Sequence, residues 1–365
     1  MIRVLQVYPQ LNNAGTEMVI MNLYRNIDRK IIQFDFLVQK KGELDENVKK
    51  LGARIYYIEN GQDYAEKIKE FLNEHKEEFK IIHTHMHREM GIVLKIAAKV
   101  GIPYRIAHSH NARTDLPKVM KFYKMITGYN IERYATHFVA CSDEAAEWLF
   151  PRKYGQAVVW KNAIEMERFV YSDEVRNEKR KELDIPLSGK VVCHVGRFAE
   201  QKNHKRILMI LNDLMKKDKE LYAVLVGVGP LLDEMKEDAT TSKIKFLGNR
   251  TDVPEILCAS DIFLFPSLYE GLGIVAVEAQ TNGMYCLASE NVPKSADLGI
   301  DRFGQLSLKE SNEVWENRIE TILNDIEMKK RKEASLKALE TEYNIKVVSR
   351  KVQEFYLNFD YSGAL

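Results

Sequence analysis

Short β-forming runs alternate with helical stretches along nearly the whole chain, and the alternation begins a second time near its middle. The first runs are IRVLQVY, FDFLV, RIYYI, IIHTH, YRIAHSH and HFVACS, separated by amphipathic segments such as YAEKIKEFLNEHKEEF. A polar, charged stretch, YSDEVRNEKRKELDIPLSG, then reads as a connector with a short helix. The second set follows as KVVCHVG, YAVLVG, IKFLG, DIFLFPS and YCLAS. Parallel strands need crossover connections, so this pattern predicts an α/β chain with two doubly wound parallel sheets, helices on both faces. A length of 365 residues exceeds one ordinary core and fits two domains, over residues 1–170 and 171–345.

Composition removes several function classes. A formal net charge of +1 argues against a general nucleic-acid binder. Cys141, Cys193, Cys258 and Cys286 are scattered, without a C-x-x-C pair, and read as small buried hydrophobes of a reducing compartment. The opening MIRVLQVYP reads as a strand rather than a leader, and the longest apolar runs fall far short of a membrane span. The expected location is the cytoplasm, free or peripheral on the inner face of the cell membrane.

In open α/β sheets ligands sit at the carboxyl ends of strands, so the informative residues directly follow strands. After the first strand, Gly15 stands between a loop and a helix, whose free N–H groups suit a phosphate; a tight turn explains this glycine equally well. In VVCHVGRFAEQKNHKRIL, Arg197 and Lys202 follow a strand and precede a helix, where two cations would clamp a diphosphate. Gly227 and Gly229 make a partial G-x-G, but Leu232 replaces the third glycine of a dinucleotide fingerprint, which counts against NAD. Glu270 falls in the turn after the buried strand DIFLFPS, and Glu278 within the helix beyond. The N–H groups of Leu272, Gly273 and Ile274 are donors of that helix's first turn. Carboxylates so placed suit the hydroxyls of a sugar and a ribose.

Five segments then occur in one family's order: AGTE, KNAIEMERF, GRFAEQK, LGNRTDVPEIL and PSLYEGLGIVAVEAQTNG, the last carrying E-x7-E. With them the chain resembles, over nearly its whole length, a retaining glycosyltransferase of the GT-B type, group-1 class (family GT4). The resemblance implies two facing Rossmann-like domains with a donor cleft between them. The first would be the acceptor side, with a C-terminal helix of about 346–365 packed back on it, and the second would bind a nucleotide sugar. It implies transfer of a hexosyl or N-acetylhexosaminyl unit from a nucleoside-diphosphate sugar, with a UDP-sugar the first choice. The acceptor would be a hydroxyl of a saccharide, lipid-linked, in cell-surface, capsule or exopolysaccharide synthesis.

Residue by residue, Glu270 resembles the contact to donor-sugar hydroxyls, aided by the N–H groups of Leu272, Gly273 and Ile274. Glu278 resembles the ribose ligand, Arg197 and Lys202 the pyrophosphate clamp, and Gly15 the glycine that admits the donor phosphate. Asn249 and Arg250 match the nucleobase position, and His108 the strand-end histidine near the donor sugar, ahead of His110. Ala163 and Ala14 depart from the family by standing where glycines are usual.

No metal or other cofactor is expected. The chain has no D-x-D, and Arg197 with Lys202 would do a divalent ion's work. His83, His85 and His87 in HTHMH are expected not to converge on one ion, and so to serve structural roles or orient other groups. Lys118, Lys121 and Lys124 share one face of a helical pattern over 116–138, which suits either an anionic membrane surface or a solvated core helix. Two rival functions use related chemistry: a nucleotide-sugar epimerase or phosphorylase of the same fold, and a non-catalytic saccharide-binding or assembly protein. The joint presence of Arg197, Lys202, Glu270 and Glu278 argues against the second.

Overall fold

The computed structural model describes residues 1–12, 15–86, 89–110, 129–325 and 327–359. Ala14, His87 and the lysines Lys118, Lys121 and Lys124 lie outside them. The chain divides into two compact units, residues 1–163 with 345–365, and residues 164–344.

Among the described residues the first unit has seven parallel strands: β1 (Ile2–Tyr8), β2 (Ile32–Val38), β3 (Ile55–Tyr57), β4 (Ile81–Thr84), β5 (Tyr104–Ser109), β6 (His137–Ala140) and β7 (Val158–Val159). Their order is β3-β2-β1-β4-β5-β6-β7. Every residue of β2 is buried, as expected of a sheet covered on both faces rather than one alternating between core and water. Asp35 within it is held by Arg3 and Arg54, at 2.7 and 2.6 Å. Tyr64, Ile68 and Leu72, four residues apart, form the buried stripe of the Tyr64–His75 helix. The Ile345–Leu357 helix packs against the Gly15–Asn26 helix and buries Val348, Val352 and Tyr356 in this unit's core.

The second unit carries six parallel strands: β8 (Lys190–Val195), β9 (Leu221–Val226), β10 (Ile244–Gly248), β11 (Ile262–Phe265), β12 (Tyr285–Ser289) and β13 (Phe303–Leu306). Their order is β10-β9-β8-β11-β12-β13. The sequence reading missed β7, two residues long, and β13, whose FGQL lacks a β-branched residue.

Two expectations need correction. The boundary lies at 163/164, not at 170, because Ile164, Met166 and Phe169 pack into the second unit's core. The polar stretch after 170 holds the expected short helix, but that helix is packed into the second unit rather than serving as a connector. Its helix, Asp173–Glu182, is capped by the Ser172 hydroxyl, which accepts the Val175 N–H. Arg176 and Arg180 point inward from it and bind the two carboxylate oxygens of Asp261 at 2.5 and 2.7 Å. Two inward arginines made a packed helix look solvated.

Candidate active site

In each unit the strand order reverses beside one central strand, and the loops leaving that point form the crevice where α/β sheets bind ligands. In the second unit the point lies between β8 and β11. The chain leaves β8 at Gly196 and meets the β9 loop backbone to backbone. A side chain on Gly227, at φ +136°, would put its Cβ 2.0 Å from the Gly196 carbonyl oxygen, and one on Gly229 would lie 2.4 Å from that of Phe198. Close packing accounts for the partial G-x-G without a nucleotide.

Three hydrogen bonds tie the loop after β8 to the loop after β11. Asn203 Nδ2 donates to the Pro266 carbonyl at 3.0 Å, and the Leu268 N–H to that of Gln201 at 2.8 Å. Gln201 Nε2 donates to the Tyr269 carbonyl at 2.9 Å. The result places Lys202 Nζ 2.6 Å from Glu270 Oε1, with side-chain exposures of only 15% and 6%. The ammonium also lies 5.0 Å from the centre of the Phe265 ring. Lys202 spends one of its three N–H donors on Glu270, and its ammonium carries two more. Arg197 is exposed and forms no ion pair among the described residues.

Glu270 precedes a turn closed by Gly273, whose φ of +77° suits a glycine and whose Cβ would press on Phe265 at 2.9 Å. The Ile274–Thr281 helix starts there, its first-turn N–H groups aimed back along the loop. Leu272 and Ile274 are half-buried against the core. Glu278 lies one turn further on. It keeps some surface exposure but is closely surrounded by protein, and burial pushes its carboxyl up to about 7 despite the nearby positive charge of Arg168. A carboxylate held this way gains from a ligand that donates hydrogen bonds to it.

That rise has a thermodynamic consequence. The folded value stands above the unfolded one, so the stability it brings is present at low pH and is lost as pH rises through about 7. Glu278→Gln is therefore expected to be more stable than the parent at pH 8.5 by roughly 2 kcal/mol, after allowance for its partial exposure. The gain should close as pH falls towards the ordinary carboxylate range. Melting curves at several pH values check this, and an equal gain at all pH values would refute it.

The Arg250 guanidinium is engaged by Asp252, at 2.7 and 2.5 Å, and by Glu182 at 2.9 Å. Asn249 is exposed beside it. A nucleobase at this position would meet Asn249 and the backbone rather than a free arginine.

In the first unit the strand order reverses between β1 and β4. A cavity of about 150 Å³ there is lined by Tyr8, Thr16, Glu17, His85, His108 and His110. Gly15 opens the adjoining helix. His108, only 5% exposed, sits on β5 with its ring 4.0 Å from that of His110. Tyr8 went unnoticed in the sequence, although it ends β1. Its ring stacks on His85 at 4.3 Å, and its buried hydroxyl has no partner among the described residues.

The HTHMH expectation is corrected in part. His83 and His85, two apart, share a face with ring centres 4.4 Å apart, and their neighbours are His108 on β5 and His110 just after it, rather than residues further along the same segment. Ala163 is buried and contributes its methyl group to the first unit's core.

The model of the glycosyl transferases group 1 family matches residues 175–340. The chain is also 31% identical, over 87% of its length and 86% of the relative's, to a protein of Bacillus subtilis (strain 168) named as a glycosyltransferase, EpsF. The chain is a group 1 glycosyltransferase. A second relative of this glycosyltransferase is the Escherichia coli UDP-Gal:alpha-D-GlcNAc-diphosphoundecaprenol alpha-1,3-galactosyltransferase, 29% identical over 59% of this chain and 58% of that one. Among solved structures, Anabaena Alr3699/HepE in complex with UDP superimposes with a TM-score of 0.80 at 17% identity, covering 98% of this chain and 100% of that one. The glycosyltransferase thus has the GT-B fold, with two parallel-sheet Rossmann-like units. Among its described residues no helix is long and apolar enough to cross a membrane.

Proposed function

We propose that this glycosyltransferase moves a hexosyl or N-acetylhexosaminyl unit from a UDP-sugar to a hydroxyl of a lipid-linked saccharide, with retention at the anomeric carbon and without a metal ion. The product would feed cell-surface or extracellular polysaccharide synthesis. The observation that carries the reading is the buried Lys202–Glu270 pair at the β8/β11 crevice, with Arg197 exposed on the same loop as Lys202 and Glu278 one helical turn beyond Glu270's loop. Bound UDP in a structure of the same fold and the UDP-Gal and diphosphoundecaprenol named for the E. coli relative support the choice of donor and acceptor class.

In this reading Arg197 and Lys202 hold the diphosphate and stabilise the charge that builds on it as the glycosidic bond breaks. Glu270 and the N–H groups of Leu272, Gly273 and Ile274 hold the sugar hydroxyls, and Glu278 holds the ribose. Asn249 and the backbone at Arg250 meet the base, while Gly15 and His108 approach the donor phosphate and sugar. The departing diphosphate assists in taking the acceptor proton, so attack comes from the face that the leaving group vacates. Positioning and fixed charge supply the acceleration.

A thermal-shift screen across UDP-, GDP-, ADP- and CMP-sugars tests the donor. Ligand at 100 times its Kd stabilises by about 2.7 kcal/mol, a readable shift. UDP-sugars are expected to give it, and a shift with GDP-sugars alone would overturn the base assignment. Turnover with the selected donor and a diphospholipid-linked saccharide, followed by NMR of the new anomeric proton, tests acceptor and retention.

The metal claim is tested separately. Activity is expected to survive EDTA. Complete loss restored by Mg²⁺ or Mn²⁺ would show that the two cations do not replace an ion.

A further inference from the structure

The carboxyl ends of β4 and β5 bring together more ligating nitrogen than the transfer reaction uses. In the β4–β5 register His83 faces Ile106 and Thr84 faces Ala107, which sets His85 level with His108. His83, His85 and His108 are all buried, and one ligating nitrogen from each lies within 4.8 Å of the others. Among the described residues, His83 Nε2 and both nitrogens of His108 are buried without a hydrogen-bond partner. Leaving buried polar atoms unpaired is unfavourable, so three such atoms in one cluster point to a missing ligand.

The other nitrogens are oriented. His83 Nδ1 lies 2.6 Å from the Tyr356 hydroxyl, and His85 Nε2 lies 2.9 Å from Gln6 Oε1. Metal-binding imidazoles are aimed by such a contact on the opposite nitrogen. Burial holds all three well below the usual histidine pKa, in the neutral form that ligates.

We propose that His83, His85 and His108 form a three-nitrogen site for a borderline first-row divalent cation, zinc or cobalt, that pins the ends of β4 and β5 together. An all-imidazole set prefers such ions over magnesium or calcium, which favour oxygen. Nitrogens around tetrahedral zinc stand about 3.4 Å apart, so the rings close by about 1.5 Å at most on binding. His85 Nδ1, 2.7 Å from His110 Nε2, exchanges that contact for the ion. The cavity lined by Tyr8, Glu17, His85 and His108 gives access. The ion takes one nitrogen of His108 and leaves the other for the donor sugar; it has no step in glycosyl transfer itself and is distinct from the diphosphate clamp, whose residues belong to the second unit.

The test is a cobalt titration of the whole chelator-stripped chain, followed by visible absorption. One equivalent of Co²⁺ is expected to give the intense bands of four-coordinate cobalt, and one equivalent of Zn²⁺ to bleach them. His83→Gln and His108→Ala should each abolish the bands. Tyr356→Phe, which keeps the ring but removes the hydroxyl at His83, should weaken zinc binding by about 10- to 100-fold in competition with a chromophoric chelator. Circular dichroism establishes that each variant is folded. If the histidine variants do not fold, the parent spectrum and Tyr356→Phe decide. Absent or faint six-coordinate bands in the parent, bands that survive either histidine substitution, or unchanged affinity in Tyr356→Phe would overturn the site.

Discussion

Lys202→Ala is expected to lower turnover at saturating donor by about two to three powers of ten and to lower the melting temperature. In the proposed clamp one charge-assisted contact to the diphosphate would account for about 1.5–3 kcal/mol of the barrier. The structure adds a second loss, because Glu270 is left buried and unpaired. Removing one member of a fully buried pair costs about 3–5 kcal/mol; this pair is part-buried, so a smaller loss is expected, in stability as well as in the placement of Glu270. Arg197→Ala should behave differently. Arg197 is exposed and forms no ion pair among the described residues, so its loss should damage turnover by about one to two powers of ten, at roughly 1.5–3 kcal/mol, while the protein melts as before. The pair itself is isolated by combining Lys202→Met with Glu270→Gln, which should recover the melting temperature but not the activity. Turnover unchanged in Lys202→Ala or in Arg197→Ala would remove that residue from the clamp.

The two glutamates are expected to separate sugar from nucleotide. Glu278→Gln should weaken UDP and the UDP-sugar alike, since a ribose is common to both. Glu270→Gln should leave UDP affinity intact or slightly tighter, because Lys202 is released from its partner, while kcat with the sugar donor falls by about one to two powers of ten. The pH dependence should also divide them. UDP binding that uses the ionised Glu278 should weaken as pH drops through about 7 in the parent and lose that dependence in Glu278→Gln. Calorimetry with UDP beside turnover measurements reads all of this. Equal losses of UDP affinity in both variants would show that the roles are not divided.

Much of this architecture could be read from the chain because each βα repeat announces itself locally. Runs such as IRVLQVY and DIFLFPS bury every face in a parallel sheet, and their ends mark where ligands sit. The contacts that define the site could not be read that way. Lys202 and Glu270 are 68 residues apart, and their pairing depends on Asn203 and Gln201 reaching the neighbouring loop. The histidine cluster depends on the β4–β5 register and on Tyr356, 273 residues after His83. Arg176 and Arg180 show the opposite hazard, since their charge suggests water until Asp261 is placed beneath them.

The Ile345–Leu357 helix completes the unit that the first residues begin, whereas residues 164–344 are contiguous and end where they start, with the Ile164 N–H donating to the Tyr343 carbonyl at 2.9 Å. Synthesis from the amino end therefore reverses the order in which the halves can mature. The later-made half is finished first on the ribosome. The earlier-made half waits with the groove for Val348, Val352 and Tyr356 uncovered until the final turns emerge. A stop codon or a protease acting near residue 345 would thus spare the half built from residues 164–344 and cripple the half translated first.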